Sequence, residues 1–103
     1  MSAEVSAVLR RAAALVRQGW CQGRYAESAT GRRVAINSQA AVAWCLDGAV
    51  IHELEALGCD GYGVWTAINK YGNTVQFNDA ENRTAEEVAA LLERAARDAE
   101  AGR

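Results

Sequence analysis

Residues 39–57 read QAAVAWCLDGAVIHELEAL and form the most apolar stretch of the chain. Six of its residues recur at the spacing of one helix face: Val42, Cys45, Leu46, Ala49, Val50 and Leu57. Apolar side chains also cover much of the remaining circumference, which is typical of a helix inside a protein. We therefore predict that residues 39–57 form the central helix, with Asn37-Ser38 as its N-cap and residues 58–61 as its end.

Three further helices are predicted around this segment. An apolar stripe at i, i+3, i+4 and i+7 spacing runs through residues 5–16. Residues 62–71 favour a shorter helix, although their aromatic and β-branched content leaves a strand as the alternative. Thr84-Ala85-Glu86-Glu87 matches a capping box, so the last helix is expected to begin there and to bury a stripe that includes Val88 and Leu92.

Two segments lack a helical period. In residues 20–37, Thr30-Gly31 separates Tyr25-Ala26 from the apolar residues 34–36, which predicts a short hairpin or an irregular loop. Residues 74–77 are expected to be extended, with Phe77 in the core. The prediction is a mainly α, single small domain over residues 1–103, with about four helices, a hairpin or loop after the first, and frayed ends at 1–3 and 99–103.

Composition excludes several classes of protein. The chain has 103 residues, of which 50% are hydrophobic and 23% charged, which is typical of one globular domain. The net charge of −2 argues against a dedicated duplex-DNA binder. The charge is uneven: residues 1–47 carry 6 − 3 = +3 and residues 48–103 carry 5 − 10 = −5. This asymmetry suggests either ordinary solvated faces or a patch for an acidic partner.

The cysteines and the start of the chain point to the cytoplasm. An odd number of cysteines, three, at low density is typical of reduced thiols. Residues 1–8 lack the basic start and apolar region of a secretory signal, and no apolar run approaches membrane-span length. Cys21, Cys45, Cys59 and His52 lack the close spacing of structural zinc sites, so we predict neither a metal nor a cofactor.

Three stretches together resemble a known family. They are Gly19-Trp20-Cys21-Gln22-Gly23, Ala43-Trp44-Cys45-Leu46-Asp47-Gly48-Ala49, and Phe77-Asn78-Asp79 followed by Arg83-Thr84 and Glu87-Val88. In this order the chain resembles, over residues 5–96, a family of small domains of unknown function from actinobacteria, other bacteria and their phages. That family usually has Trp at the position of Phe77 and often Pro-Gly near Glu81-Asn82. The resemblance implies a short accessory or interaction protein near mobile genetic elements, and implies no activity.

Tryptophan and arginine in the non-helical segment suggest a binding surface. A partly exposed Trp20 beside Arg24 is a natural contact anchor, because tryptophan and arginine are enriched in interface hot spots. The predicted surface comprises Trp20, Arg24, Tyr25, Arg32 and Arg33. The same residues favour, as an alternative, a nucleic-acid-associated protein in which aromatic rings stack on bases.

A possible pocket is the third hypothesis, and its residues are Cys45, Glu53, Asn78 and Asp79. Cys45 and His52 lie about 10 Å apart along a continuous helix, too far for a catalytic pair, so Cys45 is expected to be a packing thiol. Glu53 is expected where the helix end emerges into solvent; the alternative is a buried carboxylate that pairs with an arginine or lines a pocket.

The sequence thus predicts a small cytosolic protein-interaction module. Its partner is expected to be another protein, and its state a monomer or weak homodimer without a membrane contact. An accessory role for a phage or mobile element, acting on a host protein or defence system, follows from the resemblance. A small enzyme or ligand-binding domain around Cys45, Glu53 and Asp79 is kept as an alternative, with catalysis less favoured than binding.

Overall fold

The protein folds into five helices and two short strands over residues 2–102, the part of the chain described by the computed structural model. The elements, in chain order, are α1 (Ser2–Gln18), β1 (Ala26–Ser28), β2 (Ala41–Trp44), α2 (Leu46–Leu57), α3 (Tyr62–Asn69), α4 (Thr74–Asp79) and α5 (Ala85–Glu100). The prediction of a mainly helical small domain with a hairpin after the first helix is confirmed.

The core lies where the two long helices, α1 and α5, pack against each other. The side chains that α1 contributes include Leu9 and Val16, and α5 adds Val88 and Leu92, all fully buried. Helices α2 and α3 contact α1 and complete the core with Leu46, Val50 and Ile68. The capping box of α5 is confirmed: the Thr84 hydroxyl accepts from the Glu87 N–H, and a Glu87 carboxylate oxygen accepts from the Thr84 N–H.

The expected hairpin contact around Thr30-Gly31 is present, and β1 has a second partner as well. The Val34 N–H donates to the Ala26 carbonyl at 3.2 Å, and Glu27 forms an antiparallel bridge with Arg33. Along its other edge, β1 pairs antiparallel with β2, with Ala26 opposite Trp44 and Ser28 opposite Ala41. Residues 34–36 are otherwise irregular, and the Trp44 indole N–H donates to the Ile36 carbonyl at 2.9 Å, which holds them in place.

The predicted central helix over residues 39–57 is wrong in its first third. Residues 41–44 form β2, and the helix begins only at Leu46, with Cys45 rather than Asn37-Ser38 as its N-cap. Val42 and Leu57, expected inside, are 47% and 41% exposed. Residues 41–44 are more stable as a strand than as a helix because their backbone has hydrogen-bond partners along both edges. The Trp44 N–H donates to the Gly19 carbonyl at 3.1 Å, and β1 pairs along the opposite edge.

Residues 74–77, expected to be extended, lie in helix α4. The Asn73 side chain caps that helix by accepting from the Gln76 N–H at 2.9 Å, and this bond stabilises a helix of only six residues. Phe77 is half-buried against the core, and the Arg83 guanidinium stacks 3.8 Å from its ring centre. The predicted fraying stays a prediction; α1 starts at Ser2 and α5 ends at Glu100, while Met1 and Arg103 lie outside the described residues.

Candidate functional site

A cleft of about 420 Å³ opens beside the hairpin. It is lined by residues 33–36, by residues 23–25, and by residues of α4 and the start of α2. Most of the lining is apolar, from side chains such as Val34, Ile36 and Val75. Tyr25 and Val75 are 54% and 51% exposed, so the apolar surface continues from the cleft to the outside of the protein.

Asn78 fixes the parts of the chain that surround the cleft. Its side chain is 2% exposed, and its Oδ1 accepts from the Trp20 indole N–H at 2.7 Å and from the Leu46 N–H at 2.9 Å. Its Nδ2 donates to the Cys21 carbonyl at 3.1 Å and to Asp79 Oδ1 at 2.9 Å. One side chain thus ties α4 to the start of α2 and to the segment before β1.

The start of α2 packs against the backbone of Tyr25, the residue just before β1. The Cys45 N–H donates to the Tyr25 carbonyl at 3.2 Å. Cys45 Sγ, in turn, accepts from the Gly48 N–H at 3.2 Å and so caps the helix. A Cβ at position 48 would lie 2.1 Å from the Tyr25 carbonyl oxygen, so only glycine permits this close approach.

Asp47 is the electrostatically unusual residue of the cleft. Burial raises the pKa of its carboxyl group, the Thr74 hydroxyl donates to the carboxylate and partly offsets that rise, and the nearby charge of Asp79 adds to it. Oδ1 of Asp47 is sealed from solvent and has no hydrogen-bond donor among the described residues. Within residues 2–102 no cation pairs with this carboxylate, and a buried charge without a counter-charge is costly.

The arginines of the cleft differ in their freedom. Arg24 is held in the hairpin, because its Nη1 donates to the Gly31 carbonyl at 2.7 Å and its Nε lies 3.9 Å from Glu27 Oε1. Arg33 is exposed, and its guanidinium has no ion-pair partner in the described part of the chain. The exposed cation of the lining is therefore Arg33, and the carboxylates of the lining, Asp47 and Asp79, belong to α2 and α4.

The buried thiols are not poised for nucleophilic attack. Burial raises the pKa of Cys45, and burial with the neighbouring Cys45 raises the pKa of Cys21 to about 12. Both therefore remain protonated thiols at neutral pH, and a protonated thiol is a poor nucleophile. His52 lies beside Glu53, with Nδ1 at 2.9 Å from Glu53 Oε2, and its ring packs edge-on against Trp44 at 5.5 Å.

Glu53 contradicts the expectation of a solvent-exposed helix end. It is 4% exposed, and its Oε1 accepts from Arg11 Nε at 2.7 Å. The alternative, a buried carboxylate paired with an arginine, is confirmed. This ion pair joins α1 to α2 on a part of the molecule away from the cleft, so Glu53 is not one of the lining residues.

The cleft lining brings together residues of the predicted binding surface and of the predicted pocket. The lining includes Arg24, Tyr25 and Arg33 from the predicted binding surface together with Cys45, Asn78 and Asp79 from the predicted pocket. Trp20 lies behind the cleft, half-buried on Asn78, and Arg32 is exposed outside the lining. Asp47 and Val75 were missed; an acid inside an apolar run is the signal that points to Asp47.

Metal-binding clusters and membrane-spanning helices are not found in the described part of the chain. Over residues 2–102, no three His, Cys, Asp or Glu side chains come close enough together to hold a metal ion. None of the helices in that range has the length and apolar character needed to cross a bilayer.

The fold defines a small, mainly helical domain with a surface cleft, and sequence comparison identifies its family. The chain belongs to a family of unknown function, DUF6197, which matches residues 1–98. No curated protein and no solved structure matches the chain.

Proposed function

We propose that this protein is a non-catalytic interaction module that binds a short segment of a partner protein in the cleft. The observation that carries the proposal is the cleft itself, whose volume of about 420 Å³ lies within the range of about 300–1,000 Å³ typical of ligand sites. Apolar walls with a few fixed polar groups supply the affinity and orientation that such sites need.

A protein segment suits the cleft better than a nucleic acid. Nucleic-acid affinity comes mainly from neutralising phosphates, and Asp47 and Asp79 in the lining oppose that. Arg24 is already engaged by Gly31 and Glu27, which leaves Arg33 as the exposed cation of the lining. Tyr25, half exposed at the edge of the cleft, is a residue type that protein interfaces favour.

We extend the proposal to the cellular setting. The module acts in the cytoplasm as a monomer or weak homodimer, and it serves a phage or mobile element by modulating a host protein. The reduced thiols favour the location. The accessory role follows from the sequence resemblance to small phage and bacterial domains.

Two exposed tyrosines provide the test. Tyr25 lines the cleft and Tyr62 does not, although both are well exposed, at 54% and 78%. Partners are isolated from the native host with and without nuclease, identified by mass spectrometry, purified, and titrated against each variant. We expect Tyr25→Ala to weaken binding by about 30-fold, the equivalent of a hot-spot loss of about 2 kcal/mol, and Tyr62→Ala to leave it unchanged.

Two results would contradict the proposal. One is a partner that binds both tyrosine variants and the wild type equally, since its interface then lies elsewhere. The other is a bound species that disappears with nuclease and binds in a strongly salt-dependent way, which is the behaviour of a nucleic-acid-associated protein.

A further inference from the structure

We infer that the segment bound in the cleft carries a basic group next to its apolar residue, with Asp47 and Asp79 as the counter-charges. The inference rests on the proposed function and adds the chemical class of the ligand. A lysine or arginine side chain, or another ammonium or guanidinium group joined to an apolar body, fits this description.

The carboxylate of Asp47 is uncompensated in the free protein. It lies in the cleft lining, it is partly buried, and one of its oxygens has no donor within residues 2–102. Burial raises its pKa, because the charged form is less well solvated in the free protein. A ligand cation placed beside this carboxylate offsets the free energy of that lost solvation, whereas a neutral or anionic group does not.

Asp79 adds to the same negative field. Its Oδ1 accepts from the Gly23 N–H at 3.0 Å and from Asn78, so both contacts are to neutral groups. The proximity of its charge contributes to the raised pKa of Asp47. Two carboxylates without a cation therefore lie on one side of an apolar cleft.

The cations of the lining are Arg24 and Arg33. Arg24 Nη1 donates to the Gly31 carbonyl at 2.7 Å; its Nε is sealed from solvent without a hydrogen-bond acceptor among the described residues and lies 3.9 Å from Glu27 Oε1, which partly balances its charge. Arg33 and Asp79 are both exposed, so water and salt screen their charges. A bound cation near α2 and α4 thus meets the partly buried Asp47 as its main counter-charge.

Three small probes of nearly equal shape test the inference: benzylamine, benzyl alcohol and benzoate. Each is titrated into the ¹⁵N-labelled full chain, and amide shifts at Tyr25, residues 34–36 and Val75 report on the cleft. We expect benzylamine to bind about 5-fold more tightly than benzyl alcohol, as for a charge pair worth about 1 kcal/mol, and benzoate to bind most weakly.

Charge-removal variants identify the carboxylates responsible. Asp47→Asn is expected to remove most of the preference for benzylamine over benzyl alcohol, and Asp79→Asn is expected to reduce it. Glu55→Gln is the matched control, because it removes one charge from an exposed site on the same helix α2, outside the cleft, and the preference should persist. Melting temperatures of all variants establish that each is folded.

The outcomes separate the inference from the proposed function. Equal binding of benzylamine and benzyl alcohol to the wild type, or tighter binding of benzoate, overturns the basic-group inference while leaving the cleft as a binding site. Cleft shifts with none of the three probes, up to their solubility limits, overturn the proposed function as well.

Discussion

Two glycines allow the backbone contacts that build the cleft. A Cβ at position 19 would lie 2.0 Å from the Val42 carbonyl oxygen, and one at position 48 would lie 2.1 Å from the Tyr25 carbonyl oxygen. Each clash is with backbone, which cannot rotate away as a side chain can. The sites where α1 ends on β2 and where α2 begins on β1 therefore both depend on a missing side chain.

Replacing Gly48 is expected to disrupt the second of these contacts. Gly48→Ala forces the start of α2 away from Tyr25 and should lower the free energy of unfolding by about 3 kcal/mol, the upper end of overpacking costs. Gly63→Ala is the control, because its Cβ would meet one side-chain methyl group, of Val5 at 2.9 Å, and no backbone atom, so a smaller loss is expected. Urea unfolding measures both; equal stability losses would show that the close approach at Gly48 is unimportant.

At the residue scale, the members of the site are predictable only in part, and their arrangement is not. The chemistry of Arg24, Tyr25 and Cys45 marks them in the sequence, but their meeting depends on β1 pairing with β2, which a local pattern does not encode. Glu53 was misplaced for a related reason, because its partner Arg11 lies 42 positions away on α1.

At the scale of elements, local signals succeeded where capping and periodicity act alone. The capping box that starts α5 lies within four consecutive residues, and its bonds form as the pattern indicates. Residues 41–44 are a short, continuous apolar run, which fits a helix and a strand equally well, so periodicity does not reveal the break at Cys45. Pairing with Gly19 and β1, which are distant in sequence, decides the strand.

Cys45 caps α2, so replacing it by serine and by alanine should affect stability differently. Its thiol accepts from the Gly48 N–H, and a serine hydroxyl is a strong acceptor at an N-cap. We expect Cys45→Ser to retain most of the stability and Cys45→Ala to lose about 1 kcal/mol, as thermal unfolding would measure. The reverse order would mean that apolar packing of the sulfur outweighs capping.

At the scale of the whole molecule, the uneven charge along the chain is largely compensated within the fold. Arg17 of α1 pairs with Glu86 and Glu93 of α5, at 2.7 Å in both cases, and Arg10 pairs with Glu100 at 2.8 Å. Charges of the positive first half and the negative second half thus pair across the contact between α1 and α5, at the edge of the apolar core that joins these helices. The sequence asymmetry indicates this internal contact at least as much as it indicates an external partner.

These ion pairs predict a loss of stability in acid. Arg10 and the Ser6 hydroxyl lower the pKa of Glu100 from 4.5 to about 2, and Arg17 lowers the pKa of Glu86 and of Glu93. Because the folded-state values are the lower ones, the stabilisation is complete above pH 4.5 and disappears as the pH falls towards about 2. Chemical unfolding across this range should show a steady decline.

Arg10→Gln isolates the contribution of Glu100 to that decline. Without Arg10, the carboxyl titrates closer to its ordinary pKa, so the variant should be less stable at neutral pH and should lose less between pH 4.5 and about 2. Arg32→Gln makes the same charge change at an exposed site, and its pH profile should follow the wild type. The raised pKa of Asp47 acts in the opposite direction, but it is common to all three proteins and cancels in the comparison. Parallel profiles for Arg10→Gln and the wild type would show that the α1–α5 contact does not depend on this pair.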